Sequence, residues 1–424
     1  MSTIIIKLKN LYPVLSGLTI RGVGMFLQFL STIIIARYLG AEQMGIYSVY
    51  LASMMVLAGF ISLGSPSYVM KKVSVYFNDK DYSKIVHLLR YISLILLAST
   101  SVIAIIYFII DKLFEHEFDL PINPFYIITG ALFFIVLKVI NESLKSIGKV
   151  NTSVFLESTL LAALMIGSVS LLRWIGTYPS AQLIAITNIG STLVVFICAV
   201  WLFARLIPNK GKTKENHTPS IGELTPFWGN LLIVIGFINA PLLVLPFFAS
   251  DSEVGLFSIA YRLILILINI LGVLAAIFGP KFAVAASRND LNELTNLLKS
   301  SGQFSLALFL PVALILTFFP TQILSLFGDE FTDAALPLFI MLIGQAIYAV
   351  TGLVGLFLSM TGHAKLEFKI SIICIALMYS LLFIGGYYFG MLGATMAFSF
   401  CIAVKNLISL YASHMILRSI SETN

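Results

Sequence analysis

The amino-acid sequence predicts an all-α integral membrane protein, with twelve transmembrane helices in two parallel-repeat six-helix lobes around a central cavity. Three observations predict it. Apolar side chains make up 59% of the 424 residues and charged ones 11%, and mean hydropathy is +0.99, more apolar surface than a soluble domain can hide. Twelve apolar runs approach or exceed the roughly 20 residues a membrane helix needs. The chain also echoes itself: Gly45-Ile46-Tyr47-Ser48 returns 210 positions later as Gly255-Leu256-Phe257-Ser258.

The expected spans lie near 13–36, 44–70, 88–110, 124–144, 152–173, 181–206, 224–249, 254–279, 298–320, 334–360, 367–389 and 393–416. Barrel strands would be shorter and alternating, so a barrel is excluded. The first run continues into the repeat and has no small-residue cleavage site, so it reads as a retained helix rather than a signal peptide.

The duplication runs beyond the four-residue echo. Gly64-Ser65-Pro66 and Phe278-Gly279-Pro280 close matching runs, and Asn78-Asp79 to Leu89-Arg90 resembles Asn289-Asp290 to Leu298-Lys299. Leu144-Lys145-Ser146-Ile147-Gly148 resembles Leu358-Ser359-Met360-Thr361-Gly362, and Gly176 pairs with Gly390, both shifted by 214. Residues 208–220, PNKGKTKENHTPS, form a polar connector between helices six and seven. The expected organisation is therefore a lobe at 1–207, a cytoplasmic linker at 208–220 and a second lobe at 221–424. An even number of spans per half makes the repeats parallel, a build common among transporters.

Charge sets the expected orientation. Nineteen of the 26 Lys and Arg fall on the side of the N-terminus, including Lys71, Lys72, Lys80, Lys84 and Arg90. Only Arg37, Lys112 and Arg173 fall opposite, where Asp111, Glu115, Glu117, Asp119, Asp329, Glu330 and Asp333 lie. The positive-inside rule then places both termini in the cytoplasm. Topology accounts for the basic loops, so no nucleic-acid partner is expected. Two inner connectors offer apolar faces at helical spacing: Tyr82, Ile85, Val86 and Leu89, and Leu291, Leu294 and Leu298. Each is either a surface helix or an extension of the following span.

Catalytic signatures are missing. No phosphate-binding Gly-rich loop, paired-carboxylate site, metal-spaced His/Cys set or Gly-x-Ser-x-Gly turn occurs, so neither enzyme activity nor a cofactor is expected. Cys198, Cys374 and Cys401 sit inside spans and read as small packing residues. A sugar transferase or polymerase is disfavoured by short outer loops and the missing acid pair.

The informative residues are charges within the spans, each costing roughly 2.5–3.5 kcal/mol at mid-membrane. Arg21 lies about 12 Å into helix one beside Gly17, Gly22 and Gly24, and Arg262 lies in helix eight near Phe257 and Tyr261. Lys405 sits near the middle of helix twelve. Each either faces a cavity or anchors the helix. Guanidinium suits phosphate through its planar fork. Lys138 and Glu142 are spaced for a local ion pair that Glu157 can join; the alternative is a proton or cation relay. Gln28 and Asn239 place amides at comparable positions in the two halves, and Pro241 predicts a bend or unwinding, as a gate or as a packing kink.

The segments IIIARYLGAEQMGIYSVYLA, GSPSYVMKKVS, SIGKVN and FFASDSEVGLFSIAYRL resemble the Wzx-type polysaccharide flippases of the multidrug/oligosaccharidyl-lipid/polysaccharide exporter (MOP) superfamily. The resemblance implies export of an undecaprenyl-pyrophosphate-linked oligosaccharide, for O-antigen, lipopolysaccharide or capsule, across a bacterial inner membrane. It implies a cationic cavity, to which Arg21, Arg262 and Lys405 are assigned, and a polymerase or ligase that takes the flipped lipid. The alternatives are a MATE-like multidrug or cation antiporter, which uses a membrane-buried carboxylate, and a lipid II flippase, whose relatives often carry two further spans.

Overall fold

A computed structural model describes residues 2–113, 122–207, 220–288 and 290–423; side chains are described from Thr19 to Arg418 apart from Ile221, Asn230 and Ile270. Linker residues 208–219, the acidic segment 114–121 and Asn289 lie outside the described residues.

The described residues are helical, with no strand among them. In chain order the helices are α1 (Ser2–Ser62), α2 (Ser65–Asn78), α3 (Tyr82–Leu113), α4 (Pro124–Ser146) and α5 (Val150–Val154). A π-helical turn at Phe155–Leu160 joins α5 to α6 (Leu161–Ile175), followed by α7 (Ala181–Leu206) and α8 (Ile221–Val244). After a 3-10 turn at Leu245–Phe247 come α9 (Asp251–Ser287), α10 (Leu291–Phe318) and α11 (Pro320–Leu324). A second 3-10 turn, Asp329–Ala334, leads into α12 (Ala335–Thr351), α13 (Val354–Met360) and α14 (Ala364–Thr423).

Among the described residues, ten helical stretches are long and apolar enough to cross a membrane. Two of them, Thr19–Ser62 with 44 residues and Ala364–Arg418 with 55, have about twice the required length. Each is broken by a glycine in a non-helical conformation, Gly40 (φ 74°) or Gly390 (φ 53°). Counting each as two crossings turns the ten into the twelve expected.

Boundaries moved where glycine chemistry intervened. The second span ends at Ser62, short of the expected residue 70, because Gly64 takes φ 80° and Pro66 opens a new helix. The run expected at 334–360 is split at Gly352 (φ 73°), where a Cβ would press on the backbone of Gly302 at 2.7 Å. The matching Gly279-Pro280 makes no break: α9 runs through it to Ser287. A Cβ on Gly64 would meet Trp228 N at 2.5 Å, whereas one on Gly279 would meet only the Leu356 side chain at 3.7 Å, so packing demands the turn at the first site alone. The two inner connectors extend spans: α3 begins at Tyr82 and α10 at Leu291. In α3 the buried stripe is Ile85, Leu88 and Ile92, with Val86 exposed, so the expected face of Tyr82, Ile85, Val86 and Leu89 is corrected to one rotated around the helix axis that keeps Ile85.

The local echoes share the sign of φ: Gly148 and Gly362 have φ 80° and 88°, and Gly176 and Gly390 have φ 78° and 53°, although ψ differs in the second pair (29° and −131°).

Two compact units are present: Met1–Leu39 with Val49–Ile235, and Gly40–Ser48 with Gly236–Asn424. In the first, α4 packs on α2 and α7. The start of α8 is fastened here, with Tyr68 Oη donating to Glu223 (2.8 Å), Lys72 3.8 Å from the same carboxylate, and Trp228 Nε1 donating to Gly59 O (3.0 Å). Burial and the Glu223 carboxylate push the Tyr68 phenol well above its ordinary range, so it stays a donor. In the second unit α12 packs on α9, α10 and α14, and segment 40–48 crosses the start of α9.

Candidate functional site

The first unit carries a four-membered charge network. Lys138, Glu142 and Lys145 lie on one face of α4 at helical spacing. Lys138 reaches Glu142 at 3.7 Å and hydrogen-bonds Glu157; Lys145 reaches Glu142 at 2.8 Å and Glu157 at 3.5 Å. Two cations and two anions neutralise one another in a partly buried place, which lowers the cost of holding them within a span. Glu157 sits in the π turn, where Ser158 Oγ donates to Val154 O at 2.6 Å. Such turns re-aim side chains and are frequent at functional sites. Asn141, fully buried beside Glu142, has no hydrogen-bond partner for either side-chain atom among the described residues.

Arg21 is exposed in α1 and makes no ion pair with a described residue. One turn further, Gly24 is pressed against Ser158 so tightly that a Cβ there would collide with the hydroxyl. No described residue lies within 4 Å of a Cβ on Gly22, the neighbour of the arginine. Gln28 is also exposed.

In the second unit Arg262 is half-buried in α9, with Tyr47 within electrostatic reach. Phe257 stacks at 5.7 Å on Tyr261, the residue immediately before the arginine. Asn239 is buried (6% exposed), unlike its expected counterpart Gln28. Of the bend or unwinding expected at Pro241, the unwinding does not occur: α8 stays helical to Val244 and tightens only around Pro246. Tyr261 Oη donates to Ile238 O (2.6 Å) and Tyr379 Oη to Gly236 O (3.4 Å), the carbonyls on either side of Phe237, whose own carbonyl is the one Pro241 leaves without its helical N–H.

Lys405 has a partner that sequence reasoning missed. Its Nζ lies 2.7 Å from Glu367 Oε1, and Ser409 Oγ donates to Oε2 at 2.9 Å. Glu367 stood at the edge of an expected span among Lys365 and Lys369, and the pair is 38 residues apart in sequence, so only tertiary structure reveals it. Cys374 and Cys401 are buried and Cys198 is half-buried, all free thiols. No group of three or more metal-ligating side chains occurs among the described residues.

Apolar helices long enough to cross a membrane, with paired charges inside several of them, define an all-α integral membrane protein, and the comparisons give its relatives. A multidrug resistance MATE family transporter of the MOP superfamily, solved in an inward-facing conformation, shares the fold with a TM-score of 0.73 at 15% identity, over 97% of this chain and 99% of that one. A MOP superfamily transporter from Pyrococcus furiosus, described as having a binding pocket of reverse polarity, aligns with a TM-score of 0.65 at 16% identity, over 96% of each chain. Residues 13–285 match the family described as Polysaccharide biosynthesis protein, and the chain belongs to that family. Agl15 of Haloferax volcanii, named a probable low-salt glycan biosynthesis flippase, is 22% identical over 399 residues, covering 91% of this chain and 79% of that relative.

Proposed function

We propose that this protein flips an undecaprenyl-pyrophosphate-linked oligosaccharide from the cytoplasmic to the outer leaflet of a bacterial inner membrane, by alternating access, for O-antigen, capsule or a related surface polymer. The observation that carries this reading is the sign of the uncommitted charge. The carboxylates held within the spans, Glu142, Glu157 and Glu367, are all paired with lysine, whereas Arg21 has no carboxylate partner among the described residues. A cation antiporter needs an available acid; an anionic cargo needs an available base.

Arg21, Arg262 and Lys405 are the cations offered to the pyrophosphate, whose oxygens accept the fork of a guanidinium. No covalent chemistry is required of the protein. With the inside negative, outward movement of an anion is downhill by about 2.3 kcal/mol per charge per 100 mV. A polymerase or ligase that removes the flipped lipid adds to the pull.

Deleting the gene tests the reading. A lipid-linked oligosaccharide is expected to accumulate on the inner face and to be identified by mass spectrometry; an unchanged lipid pool together with lost drug resistance would favour the antiporter. Orientation has its own check. Single cysteines near Asp111, Tyr178, Asp251 and Asp333 are expected to react with an impermeant reagent from outside, and cysteines in 208–220 are expected to stay protected until the membrane is opened. The reverse pattern would refute cytoplasmic termini.

A further inference from the structure

Lys405 and Glu367 differ in how firmly they are held. The Glu367 carboxylate is fixed from three sides: Lys405 Nζ at 2.7 Å and Ser409 Oγ at 2.9 Å bind its two oxygens, and Gly355 of α13 leaves room for it. A Cβ on Gly355 would lie 2.7 Å from Oε1, so a side chain there would displace the carboxylate. Lys405, in contrast, has Glu367 as its one polar partner among the described residues, is about a quarter exposed, and carries its charge on a flexible four-carbon stem. The network of α4 is the reverse case, with each lysine there held by two carboxylates.

A cation on a mobile stem beside an anion on a rigid mount can change partners without moving the mount. We propose that Glu367 is a tethered stand-in for the anionic group of the cargo: it holds Lys405 while no cargo is present, and Lys405 leaves it for a doubly charged phosphate ester when one arrives. This rests on the anionic-cargo reading above and adds to it a specificity device. A singly charged or neutral lipid does not displace Glu367, because it offers Lys405 no more than the carboxylate already gives, whereas a pyrophosphate does. Glu367 acts through Lys405 and is a positioning residue.

The test uses full-length protein in detergent and measures binding of farnesyl pyrophosphate, with farnesol as the uncharged control and melting temperature as the check on folding. If Lys405 is on Glu367 nine-tenths of the time, removing the carboxylate tightens pyrophosphate binding about tenfold. Glu367→Gln is therefore expected to bind farnesyl pyrophosphate more tightly than wild type, with farnesol binding unchanged. Gly355→Ala, which leaves both charges in place but crowds the carboxylate, is expected to shift affinity in the same direction. Adding Lys405→Met to Glu367→Gln is expected to cancel the gain, and this neutral pair replacement guards against a folding defect in the single variant. Wild-type preference for the pyrophosphate with unchanged or weaker binding by both Glu367→Gln and Gly355→Ala overturns this proposal alone. No preference for pyrophosphate over farnesol in any form overturns the anionic-cargo reading and the proposal with it.

Discussion

Gly45→Ala and Gly255→Ala are each expected to destabilise the protein by about 1–3 kcal/mol, and Gly45→Leu to leave little folded protein in the membrane. A Cβ on Gly45 would collide with the carbonyl oxygen of Asp251 and lie 2.9 Å from Gly255 N. A Cβ on Gly255 would collide in turn with the carbonyl oxygen of Ala41 and lie 3.1 Å from Gly45 N. The contact is reciprocal, and both obstacles are backbone, so no side chain can rotate away. Tyr47, Ser48, Phe257 and Ser258 around it are all at most 2% exposed, which leaves no free volume for relaxation. Small residues at such crossings let helix backbones approach closely where water cannot drive them together. Gly167→Ala in α6 is the control: nothing lies within 4 Å of its Cβ, and helix propensity favours alanine. Thermal unfolding followed by size-exclusion fluorescence would show the contrast. Equal melting temperatures for Gly45→Ala, Gly255→Ala and Gly167→Ala would refute the close crossing.

Arg21→Ala and Arg262→Ala are each expected to cut glycan export while the protein still inserts. Loss of a charge-assisted hydrogen bond costs about 1.5–3 kcal/mol, or roughly 10- to 100-fold in transport at limiting cargo. Lysine at either position is expected to recover part of the activity, since it restores the charge but not the bidentate fork. The two sites differ in their controls. Arg21 is exposed, so its truncation is expected to leave packing intact. Arg262 is half-buried next to the Phe257–Tyr261 stack, so its melting temperature must be measured alongside export. Undiminished export by the double alanine variant would remove both arginines from the account.

Much of this architecture was legible in the sequence because membrane helices advertise themselves by composition and length. The echo of Gly45-Ile46-Tyr47-Ser48 in Gly255-Leu256-Phe257-Ser258 marked the very residues that meet at the crossing. Glycine pairs 214 positions apart proved to share a positive φ, which their lack of a Cβ allows at low cost. Helix ends were less legible. Gly64 and Gly279 sit in similar sequence, but one is a turn and the other is helical, because a neighbouring backbone crowds only the first. Of the site, the i,i+4 pair Lys138–Glu142 was readable from spacing. The Lys405–Glu367 pair was not, since it joins two arms of α14 across the break at Gly390. Of the bend or unwinding that Pro241 suggested, the unwinding is absent, since α8 stays helical to Val244.

The most direct test of the central claim is translocation by the purified protein in sealed vesicles. The lipid-linked oligosaccharide recovered from the deletion strain would be placed in the inner leaflet, a potential set with potassium and valinomycin, and the pH held equal on both sides. Arrival of the glycan at the outer leaflet would be read with an external glycosidase. The account predicts arrival faster than in empty vesicles, accelerated when the side holding the lipid is negative, and lost in Arg21→Ala/Arg262→Ala. Arrival no faster than in empty vesicles, or transport indifferent to potential and to both arginines, would contradict it.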